Sequence, residues 1–127
     1  FLFLACSVNA QNQFNQNNIL KAEEAFILNA HLRDNVINAS WQIAAEHYLY
    51  KDSIKVIINN EAIAHEFILL DESVINDECF GESLVLQNTL VVKAVYNSTD
   101  LQNAIITIEY QGCAAGKYCY PKQRKNI

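Results

Sequence analysis

Hydrophobic and polar residues alternate with a period of two along most of the chain. In residues 26–33, Phe26 and Leu28 fall on one face of an extended strand, while Asn29 and Arg33 fall on the other. Further runs rich in apolar and β-branched residues occupy positions 37–43, 54–58, 63–70, 83–86, 90–96 and 104–110. Polar turn residues separate several of these runs. The pattern of about seven short strands predicts an all-β protein, an antiparallel β-sandwich.

An immunoglobulin-like sandwich fits this number of strands. Antibody domains of that fold place a buried tryptophan beside a pair of cysteines that joins the two sheets. Trp41 lies in the second predicted strand, but no such cysteine framework surrounds it. We therefore expect Trp41 to be a core aromatic residue of an inner strand rather than a side chain on which a ligand stacks.

The composition of the 127-residue chain fits one folded domain. Hydrophobic residues make up 51% and charged residues 18% of the chain, which excludes a disordered protein because there is enough apolar surface to fill a core. The formal net charge of -5 provides no general basic surface for nucleic acid. Binding of polyanions is therefore not expected.

The first ten residues resemble the end of a secretory signal. An apolar stretch is followed by Val8 and Ala10, which are small enough to precede a signal-peptidase site and predict cleavage before Gln11. The alternative is a lipoprotein signal that is acylated at Cys6. Either way we expect an exported chain, in which disulfides are permitted. Residues 1–10 are interpreted as a signal-peptide remnant and residues 11–21 as a flexible polar arm.

If Cys6 leaves with the signal, the remaining cysteines are Cys79, Cys113 and Cys119, and this odd number indicates a free thiol in an exported protein. Gly112 and Gly116 would let the chain reverse tightly, so a bridge between Cys113 and Cys119 is geometrically easy. A loop this short contributes only about 2.4 kcal/mol through chain entropy. A structural staple and a redox role both remain open at this point.

Zinc binding is the other interpretation of the cysteine pair, and we do not favour it. Structural zinc sites use four ligands, typically with two to four residues between paired cysteines. Here five residues separate the cysteines, and His31, His47 and His65 are scattered along the chain. We expect no metal and take each histidine as a partly exposed residue of a strand or turn.

Several segments resemble one known family. These are YQGCAAGKYCYP at 110–121, WQI at 41–43, HYLYK at 47–51 and DECFGES at 77–83. Together they are similar, in order and spacing, to the N-terminal periplasmic domain of the thiol:disulfide interchange protein DsbD. The resemblance implies an immunoglobulin-like sandwich over residues 22–121 with a redox disulfide at one end. The basic residues 122–127 would then begin an unstructured linker.

The resemblance also implies a function. Such a domain is a protein-disulfide reductase module in the periplasm, part of an inner-membrane protein. It accepts electrons from a thioredoxin-like C-terminal domain of the same protein and passes them to a periplasmic disulfide isomerase and to a thioredoxin-like protein of cytochrome c maturation. It needs no cofactor beyond the disulfide. The alternative is a non-catalytic exported β-sandwich that binds a partner and carries a structural disulfide.

The family assigns roles to the two cysteines. By resemblance, Cys119 forms the mixed disulfide with partner cysteines and Cys113 is the resolving residue. Tyr48 and Tyr50 match tyrosines that line the family's site, where their hydroxyl groups could bind a carboxylate or a sulfur. The alternative is that they are ordinary strand aromatics, with one of the two facing the core.

The family also shields its disulfide with a cap loop, which corresponds to residues 77–81. Asp77 and Glu78 would place carboxylates near the sulfurs and so raise the pKa of the thiols. The alternative for both is a solvated turn. The family usually has an aromatic residue where this chain has Cys79, and Phe80 could take over the shielding. Cys79 could also form a non-native bridge with Cys119 or act as a local resolving thiol.

Overall fold

The computed structural model describes residues 19–77, 80–97 and 103–127. The predicted signal remnant, residues 11–18 of the polar arm, Glu78 and Cys79 lie outside these ranges. One short helix, α1 (Ala22–Ala25), precedes the strands. The strands are β1 (Phe26–Arg33), β2 (Val36–Ile43), β3 (His47–Tyr50), β4 (Lys55–Ile58), β5 (Glu61–Ile63), β6 (Glu66–Asp77), β7 (Gly81–Val95), β8 (Ile106–Tyr110), β9 (Gly112–Ala114), β10 (Tyr118–Cys119) and β11 (Gln123–Asn126). A 3-10 turn, Lys51–Ser53, follows β3.

The larger sheet is built around the long strand β7. Strand β6 pairs with β7 from Gly81 to Lys93, whereas β2 and β3 pair with successive stretches of the opposite edge. Strand β3 continues the sheet through β9 to β10, and β1 pairs with β2. The two runs predicted at 83–86 and 90–96 are therefore parts of one strand. Asn88, with a φ of 65°, interrupts the regular backbone between them.

The smaller sheet packs against this one and closes the core. Within the described residues it contains four strands in the order β11, β8, β4, β5. The core side chains come from both sheets: Ile37, Trp41, Leu86, Leu90 and Val92 from the larger sheet, and Val56, Ile58, Ile108 and Tyr110 from the smaller. Trp41 is fully buried with its ring edge-on to that of Tyr110, so the prediction of a core aromatic residue is confirmed. The predicted antiparallel β-sandwich is confirmed as well.

The prediction that residues 122–127 are unstructured is wrong for most of this segment. Gln123–Asn126 form β11, which pairs antiparallel with β8. Arg124 also makes an ion pair with the buried carboxylate of Glu109. The strand escaped prediction because its side chains are polar and its pairing depends mainly on backbone hydrogen bonds. Among the described residues, no helix has the length and apolar character needed to cross a membrane.

Candidate functional site

The disulfide closes a short hairpin at the end of the larger sheet. Cys113 in β9 and Cys119 in β10 are directly opposite each other, with their Cα atoms 4.0 Å apart, and their sulfurs are bonded. The turn between the strands places Gly116 at a φ of 71°, a conformation that favours glycine. Cys113 is 1% exposed, whereas Cys119 is partly exposed. A sulfur of an incoming protein therefore meets Cys119 more easily than Cys113.

Tyr48 and Tyr50 both face this disulfide. Residues two apart in a strand share a face, so the alternative that one of the two tyrosines faces the core is wrong. Leu49 points to the core instead, while the tyrosines form a second buried cluster with Val85 and Cys113. Strand β3 is thus buried on both faces, because on the side that carries the tyrosines it packs against Val85, Cys113 and Cys119.

Gly112 allows β9 to lie very close to β3. A Cβ atom added to Gly112 would stand 2.1 Å from the carbonyl oxygen of Tyr48, well inside van der Waals contact. The same register pairs Tyr48 with Cys113 across the two strands. Glycine at this position therefore sets the separation between the disulfide and the tyrosines.

The carboxylate of Asp77 joins the tyrosines to the cap loop. Its Oδ2 accepts hydrogen bonds from the hydroxyl groups of Tyr48 at 2.5 Å and Tyr50 at 2.8 Å. Its Oδ1 accepts a hydrogen bond from the backbone N–H of Phe80 at 3.1 Å, which closes a turn at the end of β6. Asp77 is buried, so the alternative of a solvated turn does not hold for this residue.

The hydroxyl group of Tyr50 also contacts both sulfurs. Its oxygen lies 3.0 Å from Sγ of Cys113 and 3.8 Å from Sγ of Cys119. Burial and the hydrogen bond to Asp77 raise the pKa of Tyr50 far above its ordinary value, so the phenol stays protonated. The single hydroxyl proton is directed to the carboxylate, the stronger acceptor.

Phe80 covers the outer side of Tyr50. The two rings meet edge to face, with their centroids 5.1 Å apart. The Phe80 side chain is nevertheless 63% exposed, so it shields one side of the tyrosine ring without belonging to the core. Glu78 and Cys79, the other predicted residues of the cap loop, lie outside the described residues.

Residues 16–127 match the protein family described as "Thiol:disulfide interchange protein DsbD, N-terminal". The chain belongs to this family. The DsbD protein of Haemophilus ducreyi is 35% identical over 123 residues, which is 96% of this chain and 21% of that protein. The DsbD protein of Yersinia pestis is 30% identical over 112 residues, which is 88% of this chain and 18% of that protein. The chain thus spans about a fifth of the length of these relatives.

Two solved structures of DsbD N-terminal domains are similar to this chain. The reduced form of the domain from Neisseria meningitidis has a TM-score of 0.76 and 26% identity, with 90% of this chain and 91% of that chain covered. A complex between the DsbD N-terminal and PilB N-terminal domains of the same organism matches with a TM-score of 0.63 and 25% identity, covering 87% and 88%. The predicted immunoglobulin-like sandwich is therefore confirmed.

Sequence reasoning missed two polar residues that brace the DsbD-type site. The hydroxyl group of Ser53 donates to the carbonyl oxygen of Tyr50 at 2.7 Å and accepts from the backbone N–H of Gln111 at 2.9 Å. The side-chain amide of Gln111 donates to the carbonyl oxygen of Tyr120 at 3.1 Å. These bonds fix the end of β3 to the segment where the chain crosses from β8 to β9. A serine three residues after the second tyrosine was the only local signal for this contact.

The histidines do not gather at the site. His31 lies in β1 and His65 between β5 and β6, whereas His47 is buried and its ring stacks on that of Tyr120. The expectation of a partly exposed residue is therefore wrong for His47. Within residues 19–77, 80–97 and 103–127, no group of three or more His, Cys, Asp or Glu side chains is arranged to hold a metal ion.

Proposed function

We propose that this domain relays reducing equivalents by thiol–disulfide exchange through Cys113 and Cys119. The observation that carries the proposal is the environment of the disulfide. A bridge that served only as a staple would need no contact with ionisable side chains, yet here Tyr50 contacts both sulfurs and connects them to the buried carboxylate of Asp77. Membership of the DsbD N-terminal family supports the same role.

The proposed reaction moves two electrons in two steps. In the reduced domain, the thiolate of Cys119 attacks one sulfur of a partner disulfide, whose S–S bond breaks as the mixed disulfide forms, and the released partner sulfur takes up a proton. The thiolate of Cys113 then attacks the sulfur of Cys119 and releases the second partner thiol. The partner gains two electrons and two protons, and the domain ends with its own disulfide.

The proposed partners are other thiol-active proteins. The electron donor is a thioredoxin-like C-terminal domain of the same protein, and the acceptors are a disulfide isomerase and a thioredoxin-like protein of cytochrome c maturation, all in the periplasm. The similar Neisseria meningitidis domain is found in a complex with the PilB N-terminal domain, which supports docking of a folded partner on this type of domain. The relatives are about five times as long as this chain, which leaves room for the proposed donor domain.

Asp77 and Tyr50 are proposed to restrain the reduced cysteines until a partner docks. With the Tyr50 proton directed to Asp77, the hydroxyl oxygen accepts from the Cys113 thiol and favours its protonated form. The negative charge of Asp77 disfavours a thiolate in the same buried cluster. The result is a dithiol that reacts slowly with unrelated disulfides.

Equilibration against glutathione tests the proposed function. Cys6 and Cys79 are replaced by serine, so that only the Cys113–Cys119 pair can exchange. A relay pair equilibrates between the potentials of thioredoxin and disulfide isomerase, roughly -270 to -180 mV. A structural bridge has a reduction potential below about -300 mV. The alternative, a non-catalytic binding module, predicts a bridge of this kind. Resistance to reduction throughout the relay range, with the domain still folded, contradicts the proposal.

A further inference from the structure

A groove of about 520 Å³ lies beside the disulfide. It is lined by Tyr50, Asp52, Ser53, Phe80, Glu82, Ser83, Leu84 and Gln111. Its volume lies within the range of pockets that bind small ligands or side chains. Only the side chain of Tyr50 separates the groove from the two sulfurs.

The rim of the groove is acidic. Asp52 and Glu82 are both exposed, and the lining residues that the structure describes include no lysine, arginine or histidine. The neighbouring Lys51 does not neutralise the rim, because its Nζ atom is 3.0 Å from Glu72 and 5.3 Å from the centroid of the Phe67 ring. The groove therefore presents two carboxylates that have room for a cationic partner group.

One side of the groove is apolar and open to solvent. Phe80 and Leu84 line it with 63% and 42% of their surfaces exposed. Val74, which is 57% exposed, lies directly opposite Leu84 across β6 and β7. Apolar side chains that are exposed next to one another often mark an interaction surface.

We infer that the groove binds the segment of a partner protein that flanks its reactive cysteine, and that this segment carries an apolar residue next to an arginine or lysine. The apolar side chain contacts Phe80 and Leu84, and the cation lies between Asp52 and Glu82. Because only the side chain of Tyr50 separates the groove from Cys119, we place these groups two or three residues from the partner cysteine that meets Cys119. This inference rests on the proposed exchange function and specifies which partners it serves.

Peptide disulfides of defined charge test the inference. Each probe is a capped seven-residue peptide whose central cysteine is disulfide-bonded to 2-mercaptoethanol, a neutral leaving group. The sequences are Arg-Leu-Ser-Cys-Ser-Leu-Arg, the same peptide with Glu for Arg, and the same peptide with Ser for Leu. Their symmetry makes the direction of binding irrelevant. The rate constant for oxidation of the reduced domain, with Cys6 and Cys79 replaced by serine, is measured for each.

We expect the Arg-Leu peptide to react about tenfold faster than the Glu-Leu peptide at low salt, which corresponds to about threefold for each rim carboxylate. The ratio of the two rate constants should shrink at high salt, because salt screens the charges. Replacing Asp52→Asn together with Glu82→Gln should bring the ratio close to one. Leu84→Ser should remove the advantage of leucine over serine in the peptide. The matched control, Glu61→Gln with Glu66→Gln, makes the same change in net charge at two exposed carboxylates outside the groove and should keep the full preference.

The possible outcomes separate the two proposals. If all the peptides oxidise the domain at equal rates, the groove does not select partners, although the exchange function stands. If the control variant loses the charge preference as fully as the Asp52 and Glu82 variant does, net charge rather than the groove is responsible, and the inference is wrong. A domain that is oxidised by none of the peptides contradicts the exchange function itself.

Discussion

The hydroxyl group of Tyr50 donates a hydrogen bond of 2.8 Å to Oδ2 of Asp77 while its oxygen lies 3.0 Å from Sγ of Cys113. This contact links a carboxylate at the end of β6 to the sulfur of a cysteine in β9 through one phenol. Because the high pKa of Tyr50 keeps the phenol protonated, we expect these contacts to act on the protonation of the reduced cysteine.

Replacing Asp77→Asn should make the reduced cysteine pair more acidic and more reactive. Removing the negative charge lowers the thiol pKa by about one unit. A thiolate of lower pKa is a weaker nucleophile, but at neutral pH the larger thiolate fraction outweighs this loss. The reaction with a small disulfide reagent should therefore become about threefold faster. The ultraviolet absorbance of the thiolate, followed against pH, measures the pKa.

Glu66→Gln is the control for this substitution, since it neutralises an exposed carboxylate in the same strand β6. Equal thiol titrations of Asp77→Asn and the unmodified domain would rule out the proposed restraint of the dithiol. Tyr50→Phe, which keeps the carboxylate and removes only the hydroxyl group, separates the effect of the hydrogen bond from that of the charge.

The two cysteines should behave differently in capture of partner proteins. Cys113→Ser leaves the more accessible sulfur of Cys119 without its resolving residue, so a mixed disulfide with a substrate protein should accumulate. Cys119→Ser should abolish capture, because the remaining sulfur of Cys113 is buried. Non-reducing gel electrophoresis after incubation with an oxidised disulfide isomerase detects the product. Accumulation with Cys119→Ser instead would exchange the two assigned roles.

Gly112→Ala should destabilise the domain and displace the disulfide hairpin. The added methyl group meets the backbone oxygen of Tyr48, which belongs to a central strand and cannot move aside without disturbing the core. We expect a loss of about 1 to 3 kcal/mol in the free energy of unfolding, measured with urea.

Gly116→Ala provides the comparison for Gly112→Ala. No atom lies within 4 Å of a Cβ at that position, so only the positive φ of 71° opposes the substitution. The expected loss is about 1 kcal/mol. If Gly112→Ala costs no more than Gly116→Ala, the close approach of β9 to β3 is not what requires glycine.

Stability should fall at alkaline pH through the buried tyrosines. Burial and the nearby Glu23 raise the pKa of Tyr110 from 10.0 to about 12, and burial together with Tyr118 and Glu24 raises that of Tyr120 to about 12. The unfolded chain then loses protons first, so this contribution is complete below pH 10.0 and is lost towards about pH 12.

Urea unfolding across this pH range measures the loss of stability. Tyr110→Phe keeps the ring against Trp41 but removes the titrating group, so its stability should decline less steeply than that of the unmodified domain. Parallel declines for Tyr110→Phe, Tyr120→Phe and the unmodified protein would show that other groups cause the alkaline loss.

Cys79 is predicted to stay outside the native disulfide. Its backbone and side chain lie outside the described residues, but its sequence position beside Asp77 and Phe80 would allow a competing bridge to Cys119. Alkylation of the folded, oxidised domain followed by peptide mass spectrometry should find Cys79 labelled and a single Cys113–Cys119 bridge. A Cys79–Cys119 peptide would instead assign a redox role to Cys79.

The alternation of residues along the chain was sufficient to predict most of the strands and the sandwich. Most residues of β1 and β2 show by their own polarity which face they occupy, with exceptions such as Ile27, which is 52% exposed, and this signal is local. The motif around Cys113 and Cys119 was likewise enough to indicate the family and the bridge. The same local signal failed for β11, whose polar side chains carry no alternation, and for β7, whose midpoint at Asn88 reads as a turn.

Only the tertiary structure decided how the site is assembled. Asp77 is 27 residues from Tyr50 and Cys113 is 63 residues from it along the chain, and no local pattern records that one hydroxyl group meets both. The groove beside Phe80 and Leu84 likewise requires the ends of three separate segments to meet. Such contacts depend on which strands pair and in which register, and that choice is made by packing of the whole core. The sequence by itself determined the faces of most strands and indicated which two cysteines pair, whereas folding determined which groups surround their sulfurs.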